Sequence, residues 1–265
     1  NYERKISQEL GSLKFIDNKY VSSYIEILGK KIKAKVKLKG STPSEHQAPE
    51  KFSIRIKLSD ENYRGLREFS LMSPERRGFM REFIFRYMAL KEDLIYKRLD
   101  FINLNLNGVN KGIYFFDEEF NKNLIENNAY RESALLKFDD SELWLQKAAI
   151  FLSPADWDQF YLTANIIEVK KGDKKNINFL KAKNNLNNFR KGNHTVSEVF
   201  DIEKYAKYFA LVAVTGAWHG IISFNQTFYF NSITGKIEPI PDDLYTDGYK
   251  FNPHYNLKKF LEGDP

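Results

Sequence analysis

Oxygen-bearing side chains flank a predicted β-hairpin in the segment 218–248. Asn225 stands at the end of a loop, and Asp242-Asp243 follow the second strand of the hairpin. Amide and carboxylate oxygens are the ligands that a hard cation such as Mg²⁺ prefers. Enzymes that transfer phosphoryl groups as protein kinases do present an asparagine, a hairpin and an aspartate in this order. The pattern predicts a metal site of Asn225 and Asp243, with Asp242 as the alternative carboxylate.

The same segment lacks the aspartate that accepts a proton in protein kinases. Kinases carry an aspartate about five residues before the metal-binding asparagine, where it accepts the proton of the substrate hydroxyl. This chain has His219 and Gly220 there. An imidazole can accept a proton near neutral pH, so His219 is the candidate replacement base. A histidine that only packs or forms hydrogen bonds is the alternative.

A kinase-type site also needs groups that hold the phosphates of a nucleotide. These are a loop whose backbone covers the phosphates, a strand lysine that binds them and a helical glutamate that orients the lysine. The polar loop that begins at Gly40-Ser41 is the candidate loop, Lys51 the candidate lysine and Glu82 the candidate glutamate. A solvated lysine and an exposed helical glutamate are the ordinary alternatives. P-loop, Rossmann and nucleophile-elbow motifs are absent from the sequence.

Strands are predicted first along the chain. Residues 31–40 alternate apolar residues with lysines, which predicts a half-buried antiparallel strand with a wet lysine face. The alternating run 52–58 predicts the next strand. Residues 101–106 and 113–116 predict a hairpin around Asn107-Gly108, with a turn longer than two residues.

Helices are predicted between and after these strands. The first covers 79–91, where apolar residues recur every three or four positions and predict the face packed on the core: Met80, Phe83, Ile84, Tyr87 and Met88. A second begins at Ser153-Pro154 and extends to Ile166. The segment 170–194, rich in Asn, Lys and Gly, predicts a loop or weak hairpin, and 199–217 predicts an apolar helix.

This order of elements predicts the α+β class, with a sheet-rich N-terminal lobe (1–120) and a helix-rich C-terminal lobe (121–265) in one kinase-like domain. A chain of 265 residues with 42% hydrophobic residues can bury a sizeable core and is not disordered. Because there are no cysteines, disulfides, thiolate catalysis and cysteine-bound zinc are excluded. No apolar run reaches the roughly 20 residues that span a bilayer, so we expect no membrane span.

The net charge of +6 raises the question of a polyanionic partner. Acidic residues are numerous and interspersed, so solvated faces explain the charge and we expect no nucleic-acid partner. A nucleotide would also suit a basic cleft. A polyanion-binding module that uses the lysine strand and the segment 170–191 is kept as an alternative function.

Four stretches between residues 31 and 248 resemble the CotH family, kinase-like proteins named after a spore-coat protein. VKLKGSTPSE with EKFSIRIKL resembles its basic glycine loop and lysine strand, and LREFSLMSPERRGFMREFIFRYMA its strand and arginine helix. FNQTFYFNSITGKIEPIPDD resembles its asparagine–hairpin–aspartate segment. The most specific stretch, LNLNGVNKGIYFFDEEF, matches the family's NG-x-x-x-GlY-x-x-x-E element at Asn107, Gly108, Gly112, Tyr114 and Glu118.

The resemblance implies an atypical protein-kinase fold that uses ATP with Mg or Mn to phosphorylate Ser or Thr of secreted or surface proteins. A nucleotide and a protein substrate are therefore the implied partners, and a secreted or cell-surface location is suggested by the family alone. By position, the resemblance implies that Lys51 contacts the nucleotide phosphates, that Glu118 lies near the nucleotide pocket, and that Asn225 and Asp243 hold the metal.

The chain departs from the family in three places. It lacks the aspartate before the asparagine, and the loop after Gly40 lacks the usual asparagine. The second carboxylate after Asp243 is replaced by Tyr245, which weakens the metal site unless Asp242 or Asp247 substitutes for it. Beside polyanion binding, two functions stay open: a kinase with altered catalysis, and a pseudokinase that binds or scaffolds at a cell surface.

Overall fold

The computed structural model describes residues 4, 5, 9, 17–40, 50–141, 160–169, 176–222 and 225–244. The chain divides into two compact units. Unit 1 comprises Asn1–Phe79, Arg98–Glu119 and Ser141–Phe151, and unit 2 comprises Met80–Lys97, Phe120–Asp140 and Leu152–Pro265. Met80–Lys97 belongs to unit 2, although it precedes the lobe boundary that we predict near residue 120.

Unit 1 is built on a six-stranded antiparallel sheet with the order β1-β2-β3-β4-β6-β5. Alternating residues place one apolar face on a core that includes Ile32, Ile56, Leu58, Phe69 and Phe116. The strands are β1 (Val21–Ile27), β2 (Lys30–Leu38), β3 (Ile54–Leu58), β4 (Glu68–Met72), β5 (Leu99–Leu106) and β6 (Val109–Glu118).

The lysine strand has the predicted alternation. Ile32 and Ala34 of β2 are buried, whereas Lys31, Lys33 and Lys35 are exposed. Because side chains on a strand point to opposite faces in turn, the lysines share one wet face of the sheet.

The hairpin of β5 and β6 has a shorter turn than we predict. Leu106 pairs with Val109, so only Asn107 and Gly108 form the turn. Both have a positive φ, 53° and 81°, as a type I′ turn requires. The prediction of a longer turn is wrong because Asn and Gly adopt this conformation at low cost, and its twist matches that of the strands.

Unit 2 combines several helices with a four-stranded antiparallel sheet of order β10-β9-β7-β8 among its described residues. The helices are α1 (Met80–Lys91), α2 (Lys122–Asn127), α3 (Ile177–Arg190), α4 (Val196–Val199) and α5 (Ile202–Thr215). The strands are β7 (Leu135–Phe138), β8 (Ile166–Glu168), β9 (Thr227–Phe230) and β10 (Ile237–Pro239). The α+β class is therefore confirmed. No described helix is long and apolar enough to cross a bilayer.

Two predictions in the middle of the chain are corrected. The segment 170–194 contains α3 rather than a loop, because Asn176 caps the helix and Ala182 and Leu186 are buried one turn apart. Packing thus overrides the low helix propensity of an Asn-rich sequence. The helix predicted from Ser153 starts outside the described residues. Residues 160–163 are helical, but Ile166 belongs to β8 instead.

Helix α1 is present as predicted, but the face that it buries differs from the predicted one. Of the apolar stripe, Met80, Ile84 and Tyr87 are exposed. The buried residues of α1 are Glu82, Phe85, Arg86 and Ala89. Met88 of the stripe is partly buried and packs on the core. The prediction is wrong for Met80, Ile84 and Tyr87, because two charged residues of α1 have buried partners that hold them inward.

Candidate functional site

The loop that carries His219 follows directly from the end of α5. Gly216 ends the helix with a φ of 71°, a left-handed conformation that glycine adopts readily. The chain then enters a 3-10 turn, Trp218–Ile221, that contains His219. A backbone hydrogen bond of 2.9 Å from Asn225 to Ile222 brings Asn225 back toward this turn.

Three of the predicted site residues lie together in unit 2. Nδ1 of His219 is 2.8 Å from Oδ2 of Asp243. The carboxylate can only accept, so this hydrogen bond requires a proton on Nδ1. Nδ2 of Asn225 lies 3.2 Å from the same ring nitrogen and donates to the backbone oxygen of His219 at 3.1 Å. The imidazole therefore lies against both residues that we predict as metal ligands.

The side chains at this site offer some, but not all, of the ligands that a divalent cation needs. Among the described residues, no group of three or more His, Asp or Glu side chains is arranged to hold a metal. Asn225 and Asp243 offer an amide oxygen and a carboxylate oxygen, a small set of the kind that Mg²⁺ takes when nucleotide phosphates and water complete its octahedron.

The position expected for the catalytic aspartate is closed. A Cβ at Gly220 would overlap the backbone oxygen of Asp242 and lie 2.9 Å from the hydroxyl oxygen of Tyr208. Burial raises the pKa of Tyr208, and the charges of Asp242, Asp243 and Glu82 raise it further, so this hydroxyl stays protonated. The backbone at Gly220 thus has no room for any side chain.

Asp242 is held by two cations. Arg86 Nη2 lies 2.6 Å from Oδ1 of Asp242, and Lys97 Nζ lies 3.2 Å from both carboxylate oxygens. Two positive neighbours repel a third positive ion, so the geometry favours Asp243 over Asp242 as the metal carboxylate.

Glu82 is fully buried and has partners within unit 2. It accepts from Nε of Arg86 at 2.7 Å and from the backbone N–H of Leu244 at 2.7 Å. Sequence reasoning missed Arg86 and Lys97. The available signal was the spacing of Glu82 and Arg86, which is that of an ion pair on one helix face.

Lys51, the predicted nucleotide-binding lysine of unit 1, forms an ion pair with a partly exposed glutamate. Its Nζ lies 2.8 Å from Glu75, and 5.7 Å from the centre of the Tyr114 ring. Burial raises the pKa of Glu75, but hydrogen bonds from Lys51 and Ser73 outweigh burial and leave that pKa below its usual value. Lys51 is therefore placed by a surface ion pair.

The glycine loop and Glu118 have different surroundings. Gly40 has a φ of 98°, a conformation that favours glycine. Ser41 lies outside the described residues. Glu118 is fully buried and accepts from the Arg98 side chain at 3.0 and 3.1 Å and from its backbone N–H at 3.1 Å. This bidentate pair is a strong, geometrically specific contact.

Lys39 is a second lysine near the glycine loop. Sequence reasoning did not single it out, because it was counted among the solvated lysines of the strand. Its Nζ lies 3.0 Å from Asp117 and 3.1 Å from Glu119. Glu119 also accepts from Arg55 at 2.6 Å and from the hydroxyl of Ser70. Burial alone would lower the pKa of Lys39, but the two carboxylates outweigh it and raise this pKa. The cluster therefore keeps its charges and balances them.

Comparison with known protein families adds an independent finding. The sequence model of the family described as CotH kinase protein matches residues 36–248. This match covers most of the chain and confirms the resemblance seen in its motifs. No curated protein matches the chain.

A stability measurement can test whether the position of Gly220 is closed. We expect Gly220→Ala to lower the free energy of unfolding by about 3 kcal/mol, because its Cβ would overlap a backbone oxygen. Gly220→Asp should be at least as destabilising. The control is Gly192→Ala, which meets no neighbour and should cost only the about 1 kcal/mol of a left-handed alanine. Urea unfolding measures both, and wild-type stability of Gly220→Ala would show that the position is open.

The two lysines of unit 1 should differ in their contribution to stability. Lys39→Met removes a cation from the buried Asp117 and Glu119 and should cost about 3 kcal/mol. Lys51→Met removes a pair whose glutamate is 45% exposed and should cost about 1 kcal/mol or less. Thermal unfolding of the two variants side by side measures the difference. Equal losses would mean that the buried cluster is not held by Lys39.

Proposed function

The chain belongs to the CotH kinase family, and on that premise we propose that it binds ATP with a divalent metal and transfers phosphoryl groups weakly or not at all. It is, in this proposal, a kinase-like nucleotide-binding protein of the pseudokinase type. The observation that carries the proposal is the closed backbone at Gly220, where the proton-accepting aspartate would stand.

Loss of the base affects turnover rather than binding. A positioned base contributes about 10²–10⁴-fold to a rate, whereas the metal and its ligands neutralise the phosphates in the bound state as well. Asn225 and Asp243 lie against one imidazole, which supports a shared role at one ion. The chain therefore retains residues that suit binding and lacks the residue that speeds transfer.

ATP and metal should stabilise the protein together. We expect ATP with Mg²⁺ or Mn²⁺ to raise the melting temperature by about 5–10 °C when the ligand is a hundredfold above its Kd. Asp243→Ala should lose this metal-dependent increase. Asp100→Ala is the control, because its carboxylate is exposed and pairs with Arg64 in unit 1.

The outcomes of this thermal-shift experiment separate the functional alternatives. No increase with any metal would overturn the nucleotide-binding proposal. An increase accompanied by rapid transfer from labelled ATP to Ser- or Thr-rich acceptors would replace the pseudokinase with an active kinase. Binding of a polyanion that falls steeply with salt, without any effect of ATP, would favour the polyanion-binding module and its lysine face on β2.

A second candidate function is slow phosphoryl transfer with His219 as the base. The supporting observation is the contact of 2.8 Å between Nδ1 of His219 and Asp243. A carboxylate on Nδ1 fixes the tautomer and leaves Nε2 as the atom that accepts a proton.

Residual transfer, where it is measured, should then depend on His219. We expect His219→Ala and His219→Gln to lower kcat by about 10²-fold or more, because neither side chain can accept the proton at neutral pH. The affinity for ATP with Mn²⁺, measured separately by titration calorimetry, should change much less. Wild-type turnover in both variants would exclude His219 as the base.

A further inference from the structure

Helix α1 buries two charged side chains, Glu82 and Arg86, beside the apolar Phe85 and Ala89. Glu82 is 0% and Arg86 is 2% exposed, whereas Met80, Ile84 and Tyr87 face outward. A buried ion pair is costly to desolvate, and apolar residues of the same volume often stabilise a fold at least as well. The buried charges of α1 therefore need an explanation beyond stability.

The partners of the pair supply that explanation. Nε of Arg86 donates to Oε1 of Glu82 at 2.7 Å, while Nη2 of Arg86 reaches Oδ1 of Asp242 at 2.6 Å. The second oxygen of Glu82 accepts the backbone N–H of Leu244 at 2.7 Å. The pair thus holds the residues immediately before and after Asp243.

Asp243 itself has a backbone that needs such support. Its φ is 62°, in the left-handed region that side-chain-bearing residues adopt at a cost. On the other side of the segment, the carbonyl of Asp242 packs against Gly220. Contacts on both flanks therefore fix the direction in which the Asp243 carboxylate points.

We propose that Glu82 and Arg86 are positioning residues that hold the Asp243 carboxylate against His219. They act through Asp242 and Leu244 and do not contact the metal or the nucleotide. The effect on metal binding rests on the proposed function, whereas the placement of Asp243 against His219 does not.

The first test needs no metal. The chain has four histidines, so the ring ¹⁵N and ¹H signals of His219 can be assigned by comparison with His219→Gln. At a fixed pH, Glu82→Ala should move these signals toward their values in Asp243→Ala. Glu82→Gln should move them less, because its amide oxygen can still accept from Leu244. If Glu82→Ala does not fold, Arg86→Lys carries the test, since lysine lacks the fork that reaches two partners.

The matched control is a buried ion pair elsewhere in unit 2. Lys204 Nζ lies 2.6 Å from Glu238, which is 1% exposed. Glu238→Gln should destabilise the fold and leave the His219 signals unchanged. His219 signals that stay at their wild-type values in every folded Glu82 and Arg86 variant would overturn the proposal, as would an equal shift in Glu238→Gln.

The second test measures Mn²⁺ binding in the presence of ATP. The electron paramagnetic resonance signal of free Mn²⁺ gives the concentration of the unbound ion. Loss of a residue that supports a metal ligand typically weakens binding about 10–100-fold. We expect a loss of this size in Glu82→Ala and none in Glu238→Gln. Wild-type Mn²⁺ affinity in Glu82→Ala would overturn the effect on metal binding. Failure of the wild-type protein to bind Mn²⁺ would overturn the proposed function and leave the His219 result to decide the positioning.

Discussion

The candidate site of unit 2 depends on the two ion pairs that the guanidinium of Arg86 forms. Its planar fork joins Glu82 on α1 to Asp242 after β10, and it is almost fully buried. Solvent cannot take the place of a lost partner there, so removal of either carboxylate would leave a buried charge unbalanced. This requirement explains why α1 turns Glu82 and Arg86 inward and leaves Met80, Ile84 and Tyr87 exposed.

Unit 1 uses the same principle in a sheet. Asp117, Glu118 and Glu119 are consecutive acids around the end of β6, and all three are buried. Alternation divides them between two faces, so that Lys39 meets Asp117 and Glu119 while Arg98 meets Glu118. What resembles an acidic patch in the sequence is therefore the centre of two charge-balanced networks, each of which satisfies the polar atoms that it buries.

Sequence reasoning succeeded where local pattern decides and failed where distant partners decide. The hairpin at Asn107-Gly108 was predicted from the residue preferences of two positions. The length of its turn was predicted wrongly. Asn225 and Asp243 were chosen from residue type and order along the chain, and both lie against His219. Their role as metal ligands stays a prediction. Arg86 was not found, since a helical arginine is ordinarily solvated and its partner Asp242 is far away in sequence. The orientation of α1 depends on that same distant contact, so hydrophobic periodicity alone predicted the wrong face.

The closed position at Gly220 and the placement of the Asp243 carboxylate are two results of one packing arrangement. The backbone oxygen of Asp242 fills the space that a side chain at Gly220 would need. Asp242 is held there by Arg86, and the same contact orients its neighbour Asp243. An aspartate at position 220 would have to displace Asp242, which would break the Arg86 contact and move the Asp243 carboxylate away from His219. One substitution therefore cannot place an aspartate at position 220 and also keep the Asp243 carboxylate in place.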